Sequence, residues 1–348
     1  MTHKDPSPIQ QALNQLVVGN DLSAALMRET MTQIMTGDAD PAAIGGLLIG
    51  LRLKGENVDE IASAAQVMRE FATPVSVSVD GLTDIVGTGG DGASTFNVST
   101  TAAFVAASAG VRVAKHGNRS VSSQSGAADV LEAAGCRLDI DATQAQSLLE
   151  GLGVAFLFAP QHHGAMRHAI GPRRALGCWS LFNLLGPLTN PAQAENQVLG
   201  VFSPSRVAVM AEAMKRLGAR HVLVVSSDDG LDEISPTGPT HVAELKDGQV
   251  VEYTVDPASL GWACEPMDGL KVTGPDQSLA IVQAVLAGQA APPARQIVAF
   301  NAGAAIYVAG QAASLQAGIQ RAFEIIDSGQ GWVLLQRYAD ATQSFGDA

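Results

Sequence analysis

Apolar residues recur at intervals of three and four between residues 9 and 71, which is the spacing of one buried helix face. Four such stretches cover residues 9–18, 24–35, 42–53 and 58–71. A glycine closely follows each of the first three stretches, and Pro74 follows the fourth, as expected where helices end. The pattern predicts a small helical bundle.

The third of these helices carries Gly45, Gly46 and Gly50 among isoleucine and leucine residues. Glycine lowers helix propensity by about 1 kcal/mol relative to alanine, but it allows a neighbouring helix to approach very closely. Such a helix is typical either of a bundle core or of a subunit interface. The sequence leaves both interpretations open.

From residue 84 the pattern changes to short β-rich runs that alternate with helical stretches. The runs predict strands at 84–86, 111–114, 155–159, 197–202 and 221–225, a hairpin of 240–245 with 249–255, and helices at 99–109, 128–134, 205–217, 276–289, 294–312 and 315–327. Strands followed by helices of this length indicate parallel βα units, whose ligands usually bind at the carboxyl ends of the strands.

The expected fold class is therefore α/β, with a small all-helical domain and a larger α/β domain built on a mostly parallel central sheet. We expect the helical domain to comprise residues 1–75, joined by helices from about 164–185. The α/β domain is expected to comprise residues 76–163 and 186–348.

The 348-residue chain carries a formal net charge of −13, which limits the partners it can have. An acidic surface repels polyanions, so nucleic-acid binding is not expected. The N-terminus lacks the apolar stretch of a signal peptide, and no apolar run is long enough to cross a bilayer. We therefore expect a cytoplasmic protein without membrane contact.

The charge is unevenly placed, because residues 92–128 and 151–194 contain no Asp or Glu. The cations retained there are Arg112, Lys115, Arg119, Arg167, Arg173 and Arg174. Burial in the core would explain the missing acids but not the retained cations. The two segments suggest a pocket for a small anion.

A glycine-rich turn, Gly87-Thr88-Gly89-Gly90-Asp91-Gly92, follows the first predicted strand and satisfies the pattern GxGxxG. In a dinucleotide-binding fold those glycines open the helix directly, and an acidic residue about twenty positions later binds the ribose. Here residues 93–98 intervene before the helix, and Arg112 stands at the position twenty after Gly92. The turn is better suited to a diphosphate that its backbone approaches closely.

The helix after this turn begins with Asn97, Ser99 and Thr100. The first N–H groups of a helix have no intrahelical partner and favour an anion. Capping by Asn97 or Ser99 is the alternative interpretation, and it is compatible with anion binding through the other donors.

A second polar segment, residues 115–123, follows the next predicted strand. Lys115 supplies a point charge and Arg119 a planar fork, and the hydroxyl groups of Ser120, Ser122, Ser123 and Ser125 follow. A solvated turn would have a similar composition. Its place one βα unit after the glycine turn favours a second phosphate-binding turn.

Several longer blocks extend these two turns, and they occur over nearly the whole chain. They are residues 87–92, Asn97-Val98-Ser99-Thr100, 115–123, Ser125-Gly126, 128–132, His162-His163, Met166-Arg167-His168, 182–191 and Asp232-Glu233-Ile234-Ser235. In sequence and order these blocks resemble the anthranilate phosphoribosyltransferases of tryptophan biosynthesis. Several long motifs in the right order are far more specific than one GxGxxG.

The resemblance implies transfer of a phosphoribosyl group from phosphoribosyl pyrophosphate (PRPP) to anthranilate. The PRPP-binding residues it implies are Gly87, Gly90, Asp91, Thr95, Asn97, Val98, Ser99, Thr100, Lys115, His116, Gly117, Asn118, Arg119, Ser120, Val121, Ser122, Ser123 and Ala127. The anthranilate-binding residues it implies are Gly87, Asn118, Arg173 and His163.

The resemblance also implies magnesium as the cofactor, held by Ser99, Asp232 and Glu233, and a homodimer formed through the N-terminal helices. Magnesium prefers a few carboxylate oxygens together with water and substrate phosphate. No covalent nucleophile is expected, because an aromatic amine already has a free lone pair. We expect direct displacement of pyrophosphate with inversion at the anomeric carbon.

The chain departs from the usual family pattern at four places. Gly164 replaces a common proline, Ala127 a common serine and Gln124 a frequent basic residue, while Cys178-Trp179-Ser180 replaces Ile-Arg-Thr. Two other functions remain as alternatives. A pyrimidine nucleoside phosphorylase shares this fold with different motifs, and some related chains bind nucleic acid without transferase activity.

Overall fold

The computed structural model describes residues 5–90, 92–120, 124–267 and 269–346. Four residues that the resemblance assigns to PRPP, namely Asp91, Val121, Ser122 and Ser123, lie outside the described residues. None of the helices in the described part of the chain combines the length and apolar character needed to span a bilayer.

The secondary structure alternates between helices and short strands after an all-helical start. The helices are α1 Pro8–Val17, α2 Ala24–Thr36, α3 Pro41–Lys54, α4 Val58–Glu70, α5 Val98–Ser108, α6 Ala127–Ala133, α7 Ala142–Leu152, α8 Ala159–His162, α9 Arg167–Leu176, α10 Leu181–Leu185, α11 Val207–Arg216, α12 Pro275–Leu286, α13 Pro292–Val308, α14 Leu315–Ser328 and α15 Gln330–Ser344. The strands are β1 Thr83–Gly87, β2 Val113–Gly117, β3 Val154–Phe158, β4 Asn196–Gly200, β5 His221–Ser227, β6 Thr240–Lys246 and β7 Gln249–Val255.

One compact unit comprises Met1–Thr73 and His162–Thr189, and it is built from helices. Its helix ends follow the sequence signals: the Asp40 side chain accepts the Ala42 N–H at the start of α3, and Asn57 forms a capping box with Glu60 at the start of α4. A Cβ atom on Gly46 would lie 3.2 Å from Leu13, and one on Gly50 would lie 3.1 Å from Leu16. These two glycines therefore serve close packing of α3 on α1 inside the bundle.

The other compact unit comprises Pro74–Gln161 and Asn190–Ala348, and it contains a seven-stranded sheet among the described residues. The strand order is β3-β2-β1-β4-β5-β6-β7, with β1 to β5 parallel and β6 and β7 antiparallel. The chain moves outward from β1 to β3 and then returns to β4 beside β1. This reversal makes the carboxyl ends of β1 and β4 a topological switch point, where ligands of open α/β sheets bind.

The expected fold class is confirmed, since an α-helical unit accompanies an α/β unit with a mostly parallel sheet. The domain boundaries proposed from the sequence stay a prediction. Helices α7 and α15 were not predicted. Strand β2 was predicted to end at residue 114 but continues to Gly117, because it pairs with β3 along its whole length from Val113 to Gly117.

Candidate active site

The glycine turn begins at the last residue of β1, Gly87, and its backbone conformation explains its composition. Gly89, Gly90 and Gly92 have φ values of 65°, 88° and 67°, a region that residues with a Cβ atom rarely adopt. The Gly89 N–H donates to Asp232 Oδ2 at 2.8 Å. The turn thus brings the Gly89 N–H and the Asp232 carboxylate together at the carboxyl end of the sheet.

Lys115 lies inside strand β2 rather than in a loop, and its side chain is buried with 3% of the residue exposed. Its ammonium donates to the Ile85 carbonyl oxygen at 2.6 Å and to Ser99 Oγ at 3.2 Å. Burial lowers the pKa of Lys115 to about 8, although the charges of Asp84, Glu233 and Asp232 oppose that change. The structure therefore brings Lys115, Ser99 and the Asp232–Glu233 pair into one electrostatic cluster.

Asp84 lies beneath this cluster and is fully buried within β1. Its Oδ1 accepts the His116 N–H at 3.1 Å, and its Oδ2 accepts from Asn190 Nδ2 at 2.8 Å. Burial raises the pKa of Asp84 to about 6, against the opposing charge of Lys115. Asp84 thus joins β1, β2 and the segment before β4 under the phosphate-binding turns.

The Asp232 carboxylate lies over the end of β1 in a space that exists because Gly87 has no side chain. A Cβ atom on Gly87 would lie 2.2 Å from Asp232 Oδ2. Asp232 and Glu233 are partly exposed as residues, although Glu233 Oε2 itself is buried. Two carboxylates and the nearby Ser99 hydroxyl are hard oxygen donors, and this donor set fits Mg²⁺.

Within the described residues, no group of three or more His, Cys, Asp or Glu side chains is placed to hold a metal ion. A cation at Asp232 and Glu233 would therefore need oxygen ligands from water or substrate. Mg²⁺ commonly binds in this way, through one or two carboxylates and substrate phosphates.

Asn97 connects the two turns instead of capping α5, since its side chain makes no cap hydrogen bond. Its Nδ2 donates to the Ser125 carbonyl oxygen at 3.1 Å, and its Oδ1 accepts from the hydroxyls of Ser125 and Ser278, each at 2.7 Å. The neighbouring Ser99 and Thr100 stand in the first turn of α5, where helix N–H groups face outward.

Three further predicted PRPP residues, Val98, Thr95 and Ala127, surround these turns. The side chain of Val98 is buried in the core, so only its backbone is available to a ligand. Thr95 forms an isolated antiparallel bridge with Lys271. Ala127 opens α6, the helix that follows the second turn.

The guanidinium of Arg119 is engaged with carboxylates of the protein. Its Nη1 lies 3.0 Å from Asp129 Oδ1 and 2.7 Å from Glu132 Oε2. Asp129 Oδ2 also accepts the N–H groups of Ser120 and Gly126, at 3.1 Å and 2.9 Å. A phosphate would reach the Arg119 fork only by competing with Asp129 and Glu132.

The remaining members of the second turn differ in exposure. Asn118 is exposed, and its Oδ1 accepts the N–H of Arg119 at 2.7 Å. His116 is buried and Gly117 ends β2.

The charge pattern predicted Arg112 as part of the anion pocket, and this prediction is wrong. Its guanidinium donates to the carbonyl oxygens of Leu149 and Glu150, and it precedes β2 at the amino end of that strand.

In the helical unit, Arg173 lies over the ring of Phe182, with its guanidinium carbon 5.3 Å from the ring centroid. Burial lowers the pKa of Arg173. Burial also lowers the pKa of His163 to about 4, which keeps its imidazole neutral near pH 7. His163 lines a small, mostly apolar hollow together with Met35, Met68, Phe71, Ala165 and Met166.

The departure at Trp179 has a structural counterpart in the same unit. The Arg52 guanidinium, from α3, donates to the Trp179 carbonyl oxygen. This contact from α3 holds the segment that contains Trp179.

Two family models match the chain. A glycosyl transferase family model for an α/β domain matches residues 80–332, and a glycosyl transferase family model for a helical bundle domain matches residues 10–72. The chain is 54% identical to the anthranilate phosphoribosyltransferase of Teredinibacter turnerae over 92% of this chain and 95% of the relative. It is 53% identical to that of Hahella chejuensis over 97% of this chain and 98% of the relative.

The chain belongs to the anthranilate phosphoribosyltransferase family.

Solved structures from this family have the same fold. The crystal structure of the Thermus thermophilus anthranilate phosphoribosyltransferase matches with a TM-score of 0.90 and 44% identity, covering 95% of this chain and 99% of that one. The Saccharomyces cerevisiae enzyme in complex with PRPP and Mg matches with a TM-score of 0.87 and 27% identity, covering 97% and 98%.

Reasoning from the sequence gave no role to several residues that hold the site, although Asn190 lies within the family block 182–191. Asp84 and Asn190 form the buried network under the turns, while Gly200 and Asn301 contact the Asp232–Glu233 segment. A carboxylate inside a buried strand was a usable signal for Asp84. No local pattern marks Gly200 or Asn301, because their contacts join parts of the chain far apart in sequence.

Proposed function

We infer that this chain transfers the 5-phosphoribosyl group from PRPP to the amine of anthranilate, giving N-(5-phosphoribosyl)anthranilate and pyrophosphate, in tryptophan biosynthesis. The observation that carries this conclusion is the buried Lys115, held at Ser99 and facing the charges of Asp232 and Glu233 beside the glycine turn. A cation, two carboxylates and a glycine turn with positive φ values at a switch point suit a metal-bound diphosphate.

We propose that the first turn binds the diphosphate of PRPP and the second turn binds its 5-phosphate. Positive φ values at Gly89, Gly90 and Gly92 support the first assignment, since a ligand can approach that backbone closely. The hydrogen bonds of Asn97 to Ser125 support a fixed spacing between the turns. The proposed residues are those named from the family resemblance.

Mg²⁺ is the metal, and we propose that Ser99, Asp232 and Glu233 hold it. When bound, it neutralises charge on the departing pyrophosphate. Lys115 adds positive charge beside the same phosphates, and the glycine turn adds N–H donors.

Anthranilate is proposed to contact Gly87, Asn118, Arg173 and His163. A guanidinium can bind its carboxylate bidentately. His163 is neutral near pH 7 and borders apolar side chains, which suits an uncharged aromatic ring. The amine nitrogen forms a bond to the anomeric carbon, the bond from that carbon to pyrophosphate breaks, and the amine proton passes to water. No enzyme nucleophile takes part.

We propose further that the protein is a cytoplasmic homodimer joined through its N-terminal helices. Exposed apolar side chains at the ends of α1 and α3 support such contact, since Val17, Val18 and Leu53 are 84%, 68% and 83% exposed. Light scattering should give twice the chain mass, and Leu53→Lys should shift it towards one chain. A single-chain mass for the unmodified protein would exclude the dimer, and cell fractionation tests the location.

The direct test of function is the loss of anthranilate fluorescence when PRPP and Mg²⁺ are added. We expect turnover by the unmodified protein and strong impairment in Lys115→Ala and Arg173→Ala. Unimpaired turnover in both variants would remove the site assignment while leaving the activity. Phosphorolysis of thymidine or uridine without anthranilate consumption would show that the function itself is wrong.

A further inference from the structure

One buried side chain, that of Asn301, binds both the backbone N–H and the backbone carbonyl of Ile234. The Ile234 N–H donates to Asn301 Oδ1 at 3.0 Å, and Asn301 Nδ2 donates to the Ile234 carbonyl oxygen at 3.0 Å. The same Nδ2 donates to the Ile297 carbonyl oxygen at 2.8 Å, and 2% of Asn301 is exposed. Ile234 directly follows Glu233, so this amide of α13 fixes the backbone that carries both proposed metal carboxylates.

Gly200 leaves the space that the Asp232 backbone occupies. A Cβ atom at Gly200 would lie 1.6 Å from the Asp232 carbonyl oxygen, which is far inside van der Waals contact. Gly200 has no positive φ, so a glycine is required there for space and not for backbone conformation. Gly200 is the register partner of Gly87, over which the Asp232 side chain lies. Asp232 therefore packs against the ends of β1 and β4, where Gly87 and Gly200 have no side chains.

The hydrogen bonds of Asp229 hold the turn before this segment. Its carboxylate accepts from the hydroxyls of Ser235 and Thr237, each at 2.5 Å, and from the Leu231 N–H at 3.3 Å. Asp229 thus binds the chain before the two carboxylates, Gly200 packs against the Asp232 backbone, and Asn301 binds Ile234 after them. Ligands ordered in advance bind a cation more tightly, because less conformational freedom is lost on binding.

We propose that Asn301 and Gly200 are positioning residues for the Asp232–Glu233 pair: Asn301 acts through the Ile234 peptide and Gly200 through the space it leaves for the Asp232 backbone. Neither residue contacts substrate in this proposal. The inference rests on the proposed function, in which these carboxylates bind Mg²⁺ with pyrophosphate.

The test measures metal binding separately from catalysis. Asn301→Leu removes all three amide hydrogen bonds with a side chain of similar size. We expect about a tenfold increase in the Mg²⁺ concentration that gives half-maximal rate, and a similar loss of Mn²⁺ affinity measured by electron paramagnetic resonance with pyrophosphate present. The KM for anthranilate at saturating Mg²⁺ should change less than about twofold.

A matched control is Gln296→Leu. Gln296 is a buried amide on the same helix, and its Nε2 donates to the Ala263 carbonyl oxygen at 2.7 Å, away from the carboxylate segment. We expect this variant to lose stability without changing the metal dependence. An equal shift in both variants would show a general loss of stability and would overturn the proposal.

Two further variants decide the question if Asn301→Leu does not fold. Asn301→Ala removes the same three hydrogen bonds without adding bulk or charge, so the same shift is expected. Gly200→Ala must displace the Asp232 backbone and should weaken Mn²⁺ binding at least as much. Gly151→Ala is its control, since a Cβ atom there meets nothing within 4 Å.

Mn²⁺ affinity and Mg²⁺ dependence within twofold of the unmodified protein in Asn301→Ala and Gly200→Ala would overturn the positioning role. Failure of the proposed function has a different signature. In that case the unmodified protein would form no N-(5-phosphoribosyl)anthranilate at any Mg²⁺ concentration.

Discussion

Both ends of the parallel strands carry dense polar clusters, but the protein stabilises the charged group at one end and destabilises it at the other. At the amino end of β5, the Glu244 carboxylate lies 2.8 Å from His221 Nε2 and accepts from the hydroxyls of Tyr307 and Tyr253, at 2.8 Å and 3.0 Å. Burial opposes ionisation there, but hydrogen bonds from His221, Tyr307 and Tyr253 outweigh it and lower the pKa of Glu244. The protein stabilises this charge with its own groups.

At the carboxyl end, burial prevails over the opposing charges and lowers the pKa of Lys115 to about 8. Glycines take the places where side chains would fill the space beside Asp232. A desolvated cation is costly in free energy, and such groups are concentrated at functional sites. Polar residues are dense at both ends, but a desolvated cation beside glycines occurs at the carboxyl end, and this difference supports the proposed site there.

The largest expected difference between the two ends comes from removing both carboxylates of the pair. Asp232→Ala with Glu233→Ala should lower kcat/KM for PRPP on the order of 100-fold or more, because the proposed metal ligands are lost. Steady-state fluorescence assays at several Mg²⁺ concentrations measure this. Asp228→Asn is the control, since Asp228 is exposed and pairs with His241. A double variant within threefold of the unmodified protein would refute the metal assignment.

Lys115→Gln should have the next largest effect. Loss of a charge-assisted contact to phosphate should lower kcat/KM for PRPP by about 10- to 100-fold. Because the pKa of Lys115 is lowered to about 8, its ammonium is lost as pH rises through that value, and PRPP binding should weaken above it. The variant should lack this decline in a pH profile. An identical decline in both proteins would assign it to another group.

Arg173→Ala should act on anthranilate and spare PRPP. We expect KM for anthranilate to rise by about 10- to 100-fold, from loss of a bidentate charged contact, with little change in KM for PRPP. Arg28→Ala is a suitable control in the same helical unit, since Arg28 is exposed and pairs with Glu70. Equal increases for both substrates would argue against a carboxylate contact.

Glu244→Gln should have the smallest effect on activity, because it changes the amino end of the sheet. The hydroxyl and imidazole donors around Glu244 would lose a charged acceptor, which should lower the free energy of unfolding by about 1–3 kcal/mol. Kinetic constants at 25 °C should stay within twofold. Urea unfolding measures the loss of stability, and the fluorescence assay measures the kinetic constants. A large loss of activity in folded protein would contradict a purely structural role for Glu244.

Much of the fold was predictable because it rests on local signals. Helix ends at Gly37 and Gly55 and the turn at Asp247-Gly248 are set by backbone conformations that glycine favours. Helix α15 was missed because its role is a long-range one, in which Tyr338 accepts the N–H of Phe156 on strand β3. The end of β2 was missed because pairing with β3, and not the local sequence, extends it to Gly117.

In the candidate site, too, residues with a local sequence signal were predicted and residues that act through long-range contacts were not. The glycine turn and Lys115 were predicted from residue types that suit phosphate, and Asp232–Glu233 from the family resemblance; their roles stay predictions. Asn97 was assigned to the ligand, whereas its side chain also links the two turns through Ser125 and Ser278. Asn301 could not be found, since its contact with Ile234 spans 67 positions of sequence.

A crystal structure with PRPP and Mg²⁺ bound tests the central claim most directly. We expect the diphosphate and the metal at residues 87–92 with Lys115, Asp232 and Glu233, and the 5-phosphate at the turn that follows β2. Density for PRPP at the amino end of the strands, or bound to only one of the two turns, would contradict it.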